Sequence, residues 1–362
     1  METARHFFPG GNTSQGFYSR FAHILPRNQV RRKIILKGGP GVGKSTLMRR
    51  MAEYLQGIHQ EVEIFHCSSD PDSLDGLAAK GLGFALIDGT APHVMDPVLP
   101  GAEDGILNLG DCLREEQLEK SRRLIRDAME EIARCFLRVY DYLGAAAPLL
   151  YGSTREWREH TPLGSMESLA QETADKWLPE GVGPAQEREL FAESYTPRGY
   201  MTFLPTILLE RVLCISAPWG LSPHPLLSRI RDIALTRGIP VLGLYNPLLP
   251  LELNHLNFPS LSLSIVTGPV ENPTESINLQ EALSLGQGLS REQAFNRNAH
   301  ELLLQRAVES LKEAKARHDD LEKYYIAAMD YTRWENALEK VKETVEALAA
   351  FSDHNTSSGN RE

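Results

Sequence analysis

The chain is poor in cysteine. Its four thiols, Cys67, Cys112, Cys135 and Cys214, form no CxxC pair and no metal-ligand spacing. That excludes a disulfide scaffold and a thiolate metal site, and fits buried reduced thiols. Long apolar runs are also missing. The stretch from Phe203 to Ile207 is soon interrupted by Glu210 and Arg211, far short of the roughly 20 residues that span a bilayer. Met1 to Gly11 has neither the basic start nor the apolar middle of a signal peptide, so the expected compartment is the cytoplasm. Basic residues are in deficit, 38 against 48 acidic ones, and the net charge of −10 disfavours nucleic acid and anionic membranes as partners. With 42% hydrophobic and 24% charged residues the composition is that of a globular protein, which rules out low-complexity and collagen-like chains. A length of 362 residues implies two or three domains, each able to bury a core.

What is present begins with a strand, a loop and a helix. Lys33 to Leu36 is a short apolar run, and Leu47, Met51 and Leu55 start a helical pattern. Between them lies Gly38-Gly39-Pro40-Gly41-Val42-Gly43-Lys44-Ser45-Thr46, which fits the P-loop pattern Gly-x4-Gly-Lys-Ser. Glycines let such a loop wrap with its N–H groups inward, an anion nest at a helix N-terminus. Lys44 adds a cation for the β- and γ-phosphates and Ser45 a hydroxyl for Mg²⁺, so ATP and Mg²⁺ are the expected cofactors. Further strands are expected at Val62–His66, broken by Ser68-Ser69-Asp70-Pro71-Asp72, and at Leu82–Ile87, ending in Asp88-Gly89. The alternation predicts an α/β fold of two P-loop NTPase-like units with mainly parallel sheets and long helical appendages. A magnesium-organising carboxylate belongs at the end of a neighbouring strand. Asp88 is the first choice, beside Lys44 as catalytic residue, and Asp70 the second. Because Gly89 follows Asp88, the common Asp-Glu pair is absent and no catalytic base is assigned; Asp70, Asp72 and His66 are weak candidates. His93 and Asp96 lie in the loop after Asp88, and Cys67 shares the crevice edge with His66.

A shift of 179 residues aligns residues 30–91 with a second segment at ten identities, among them Gly41 with Gly220, Leu74 with Leu253 and Gly89 with Gly268. Upstream, Gly16-Phe17-Tyr18 resembles Gly199-Tyr200-Met201 after about four residues are dropped. A tandem duplication follows. The second copy has lost the chemistry: Lys44 maps to Pro223, Ser45 to His224 and Asp88 to Thr267, and proline offers neither an N–H nor a charge. The expected domains are 1–150 (P-loop unit with a helical appendage), 151–190 (connector with some helix), 191–351 (degenerate unit with C-terminal helices) and 352–362 (disordered tail). The appendages, Glu115–Ala147 and His300–Met329, offer surfaces for a protein partner or plain packing on the sheets. The cluster Arg27, Arg31, Arg32 and Lys33 reads as a solvated strand start rather than a DNA patch.

Together with the P-loop, the segments Phe7-Phe8-Pro9-Gly10-Gly11-Asn12-Thr13, Phe65-His66-Cys67-Ser68-Ser69-Asp70 and Asp88-Gly89-Thr90-Ala91-Pro92-His93 resemble a poorly characterised family of bacterial ATPases built from two tandem P-loop NTPase halves. The resemblance covers nearly the whole chain and implies ATP binding and hydrolysis, with no settled substrate. In that family the second half commonly keeps an intact P-loop, and this chain departs there. The expected function is a Mg-dependent ATPase with one working loop, the second half being structural or regulatory. The alternatives are a small-molecule kinase, with Arg155, Arg158 and Arg198 as phosphoryl clamps, and a non-hydrolysing nucleotide sensor. A homo-oligomer would let a second copy supply an arginine finger.

Overall fold

The computed structural model describes residues 4–286 and 290–358. In chain order the elements are β1 (Arg5–Phe7), β2 (Gly10–Thr13), β3 (Gly16–Ser19), β4 (Arg32–Lys37), α1 (Lys44–Gly57), β5 (Glu63–His66), β6 (Leu74–Ala79), β7 (Phe84–Asp88), β8 (Asp104–Asn108), α2 (Glu115–His160) and α3 (Ser165–Trp177). There follow β9 (Glu187–Leu190), β10 (Glu193–Thr196), β11 (Gly199–Thr202), β12 (Arg211–Ser216), α4 (His224–Thr236), β13 (Val241–Tyr245), β14 (Leu253–Phe258), β15 (Leu263–Thr267), β16 (Glu275–Asn278), α5 (Leu279–Ala282), α6 (Arg291–Ala327) and α7 (Tyr331–Ser358). The fold is α/β, with two six-stranded, mostly parallel sheets and long helices α2, α6 and α7.

The chain forms two compact units. Unit 1 comprises Met1–Gly10, Ser19–Phe136 and Leu311–Glu362; unit 2 comprises Gly11–Tyr18 and Leu137–Ser310. Each is therefore discontinuous, and α2 and α6 each contribute residues to both. The sheet of unit 1 runs β1-β5-β6-β7-β4-β8, and β6 alone is antiparallel to its neighbours. Its core gathers Leu36, Phe84 and Leu86 from the sheet, Leu47, Met51 and Leu55 from α1, and Leu338, Val341 and Val345 from α7. The i, i+4, i+8 pattern of α1 is thus its buried face.

The sheet of unit 2 runs β9-β13-β14-β15-β12-β16, with β14 antiparallel, which is the order of unit 1 strand for strand. Strands β12, β14 and β15 begin 179 residues after β4, β6 and β7, and the β10–β11 hairpin 183 residues after β2–β3.

Two stretches differ from the sequence-based expectation. Helix α2 continues past Ala147 and through Pro148 to His160, so most of the expected connector is helical. A proline removes one N–H bond from a helix, a loss that packing of a long helix can offset; Ala146, Ala147, Ser153 and Trp157 around it are buried. Of the tail expected from 352 to 362, residues 352–358 lie on α7, and 359–362 fall outside the described residues.

Candidate functional site

In unit 1, β4 ends at Lys37 and α1 begins at Lys44, so the glycine-rich loop spans the gap. Gly38, Gly41 and Gly43 have φ of +142°, +68° and +81°, left-handed values that favour glycine. Val42 is buried and anchors the loop on the core; Gly39 and Pro40 are half-buried and Thr46 is exposed. The Lys44 Nζ turns back on the loop, donating to the carbonyls of Gly38 (3.0 Å) and Gly39 (2.9 Å), and lies 3.6 Å from Asp88 Oδ2. Ser45 Oγ accepts from the Leu74 N–H at the start of β6 (3.0 Å).

Asp88 closes β7 and sits beside Leu36 of β4. Its Oδ1 accepts from the Thr90 N–H (2.9 Å) and hydroxyl (2.6 Å). One step beyond the Gly76–Ile87 pair of β6 and β7, Asp75 comes up to Asp88. Asp75, Asp88 and His93 are all buried, and one ligand atom from each lies within 4.8 Å of the others. Burial, and then the Asp88 charge, push the Asp75 carboxyl well above the usual carboxylate range. The His93 Nδ1–H donates to the Asp88 carbonyl (3.0 Å), which leaves the Nε2 lone pair 3.9 Å from Asp75 Oδ1. Burial lowers the His93 pKa, so the ring is neutral, and it stacks on Phe21 with centroids 4.2 Å apart. An imidazole whose Nδ1 is fixed by a carbonyl is oriented as many metal-ligating histidines are.

The other expected residues have contacts of their own. Asp70 lies outside this cluster, its Oδ2 3.4 Å from Lys315 Nζ of α6. His66 Nδ1–H donates to the Pro71 carbonyl (2.9 Å), and its Nε2 accepts from His6 Nδ1 (2.8 Å). Burial drives its pKa down to about 4. Asp96 pairs with Lys37, whose Nζ also donates to the Gly89 and Met95 carbonyls. The Cys67 thiol is pushed well up, chiefly by burial and then by Asp75, which favours the thiol over the thiolate.

The loop is covered by the end of α6 and the start of α7. The Gly41 N–H donates to Glu322 Oε1 (3.2 Å). A methyl on Gly39 would lie 2.7 Å from the Tyr325 ring, one on Gly41 2.9 Å from the Glu322 carbonyl oxygen, and one on Gly43 2.6 Å from Trp334 Nε1. Glycine is therefore required here by close approach as well as by backbone angle.

In unit 2 the matching loop keeps one left-handed glycine and differs in its polar residues. Gly220 keeps a φ of +84°, but Pro223 and His224 stand for the lysine and serine. His224 Nδ1 accepts from the Leu253 N–H (3.0 Å), the bond that Ser45 makes to Leu74. Asn254 and Thr267 replace Asp75 and Asp88, and the Thr267 hydroxyl donates to Asn254 Oδ1 (3.3 Å). A neutral hydrogen-bonded pair thus occupies the place of the two carboxyls. A separate concavity of about 400 Å³ in this unit, lined by Leu169, Thr173, Trp177 and Ile277, carries none of the loop chemistry.

Sequence reasoning singled out Asp88 and the loop but not Asp75, Glu322 or Trp334, which the structure sets beside them. For Asp75 the signal was the repeat itself, which aligns it with Asn254.

No known family profile matches the chain, and no solved structure does. A curated protein of Escherichia coli strain K12, the type IV methyl-directed restriction enzyme EcoKMcrB subunit, is 30% identical over 162 residues. The match covers 43% of this chain and 33% of that protein, so the chain spans about a third of that relative's length. The likeness is distant and partial. No helix among the described residues is long and apolar enough to cross a membrane.

Proposed function

We propose that the chain is a Mg-dependent ATP-binding protein that hydrolyses ATP at the single glycine-rich loop of unit 1, with unit 2 structural or regulatory. The supporting observation is the loop between β4 and α1 with Lys44 3.6 Å from Asp88. The loop amides and the α1 N-terminus bind and orient the polyphosphate. Lys44, released from the Gly38 and Gly39 carbonyls, meets the β- and γ-oxygens and stabilises the charge of the transferred group.

The residues present fit a divalent cation. One ligand atom each from Asp75, Asp88 and His93 lies within 4.8 Å of the others, two oxygens that suit Mg²⁺ and a nitrogen that Mn²⁺ also accepts, and the Ser45 hydroxyl of the loop would be a further oxygen donor. Bound there, the cation would neutralise phosphate charge; Ser45, Asp88 and Asp75 would hold it. Asp75 would also hold or give up a proton according to the charge beside it.

Phosphate release from ATP with Mg²⁺ and no acceptor, in the wild type and Lys44→Ala, tests the reading. Steady release that falls at least a hundredfold in the variant supports it. Release only with an added acceptor would make the protein a kinase. Binding without release would make it a sensor, a reading favoured by Gly89 standing where an Asp-Glu pair would place a base.

A further inference from the structure

We infer that the Glu322 carboxylate holds the place of a phosphate oxygen on the resting loop, and that a nucleoside triphosphate binds by displacing it. The inference rests on the nucleotide reading of the loop and adds the regulation of that site.

An inward-facing loop amide beside a helix N-terminus is a donor for anions. Here the Gly41 N–H already has one, Glu322 Oε1 at 3.2 Å. Lys44, the cation meant for phosphate, is spent on two loop carbonyls. A second observation points to an anion as the ligand. Trp334 is 5% exposed, and its indole N–H, aimed at Gly43, has no hydrogen-bond partner. A buried unpaired donor costs about 1–3 kcal/mol. A phosphate oxygen on the loop is the acceptor that this position calls for.

Unit 2 supplies an internal comparison. In unit 1 the helix touches Gly41 with Glu322 and Ile326; in unit 2 a helix touches Gly220 with Ser153 and Trp157, at the same i, i+4 spacing. The cover is thus kept over the loop that has no cradle, but there the residue is serine. Only the loop built for an anion carries a carboxylate. The backbone around the α6–α7 junction is tied down: the Arg114 N–H donates to the Ala328 carbonyl (2.9 Å) and the Asp330 N–H to the Cys112 carbonyl (2.7 Å). The moving part is therefore the Glu322 side chain, 31% exposed and 3.7 Å from His318, which can swing to solvent.

The test is calorimetric titration of full-length wild type, Glu322→Gln, Lys44→Ala and the double variant with Mg-ATP. Glu322→Ser, which copies the cover of unit 2, stands in should the glutamine variant melt early. Neutralising Glu322 is expected to tighten binding at least tenfold, and Lys44→Ala to abolish that gain. Equal or weaker binding by both Glu322 variants, with Lys44→Ala still abolishing binding, overturns the gate and leaves the nucleotide site standing. Unchanged binding in Lys44→Ala, or no binding by any variant, overturns both.

Discussion

Asp75 and Asn254 occupy the same strand position in the two units and differ only in the group that can carry charge. Two carboxyls facing each other in a buried site disfavour double ionisation. The Asp75 pKa is raised, first by burial and then by the Asp88 charge, with Lys44 acting in the opposite sense. An acid whose pKa rises on folding stabilises the fold below its unfolded value, near 3.8, and loses that contribution as pH climbs toward the folded value. Asp75→Asn, the residue unit 2 uses, should remove this loss. In EDTA its melting temperature relative to wild type is expected to increase as pH rises from 4, while Mg²⁺ affinity falls tenfold or more. A constant difference across that range would contradict the assignment. His66 works in the opposite sense. Its pKa, lowered to about 4 by burial, gives stability that is complete above 6.5 and drains away between 6.5 and 4. His66→Gln should flatten acid unfolding in that window, by on the order of 2–3 kcal/mol. Single residues were unevenly legible in the sequence. Lys44 and Asp88 announced themselves through a motif and an apolar strand. Asp75 did not, because its strand reads Leu-Asp-Gly-Leu-Ala-Ala, residues that seldom make a strand by themselves.

Elements show where local pattern suffices and where tertiary context decides. Helix α1 and strand β7 follow from apolar periodicity, because each packs one regular face on a neighbour. Strand β6 forms because β5 and β7 pair with it on both edges, a decision taken by neighbours distant in sequence. The cover over the loop is equally invisible in one dimension, since Gly41 and Glu322 lie 281 residues apart. Helix α7 contributes Trp334 to that cover, and its indole N–H gives a separable expectation. Trp334→Phe keeps most of the packing and deletes an unpaired donor, so the nucleotide-free melting temperature should hold or rise. Mg-ATP affinity should nevertheless fall about three- to tenfold, because the donor awaiting a phosphate oxygen has gone. Loss of stability without loss of affinity would mean that the indole only packs.

At the scale of the whole molecule, the sequence repeat and the matching strand orders describe two units of one topology that differ in the residues of the loop and the two strand ends. Unit 2 retains the strand order, the left-handed glycine at 220 and the side-chain bond from position 224 to the strand N–H, while the cation and both carboxyls are gone. A site needs charge and open amides; a scaffold needs only shape, so shape outlasts function once selection on the site relaxes. Dissecting the chain cannot test this, because a fragment beginning near residue 190 would lack Gly11–Tyr18 and Leu137–Trp177, which belong to unit 2. The intact protein can. Titration with Mg-ATP is expected to give one site per chain, and Lys44→Ala to leave none. Residual stoichiometric binding in that variant would place a second nucleotide site in unit 2. Restoring Pro223 to lysine alone should not create one, since Ala217 and Ser222 stand where the first loop has Gly38 and Gly43. A lysine without the inward amides is a surface cation, and its affinity for ATP should stay in the millimolar range or weaker, a binding energy of about −4 kcal/mol or less in magnitude.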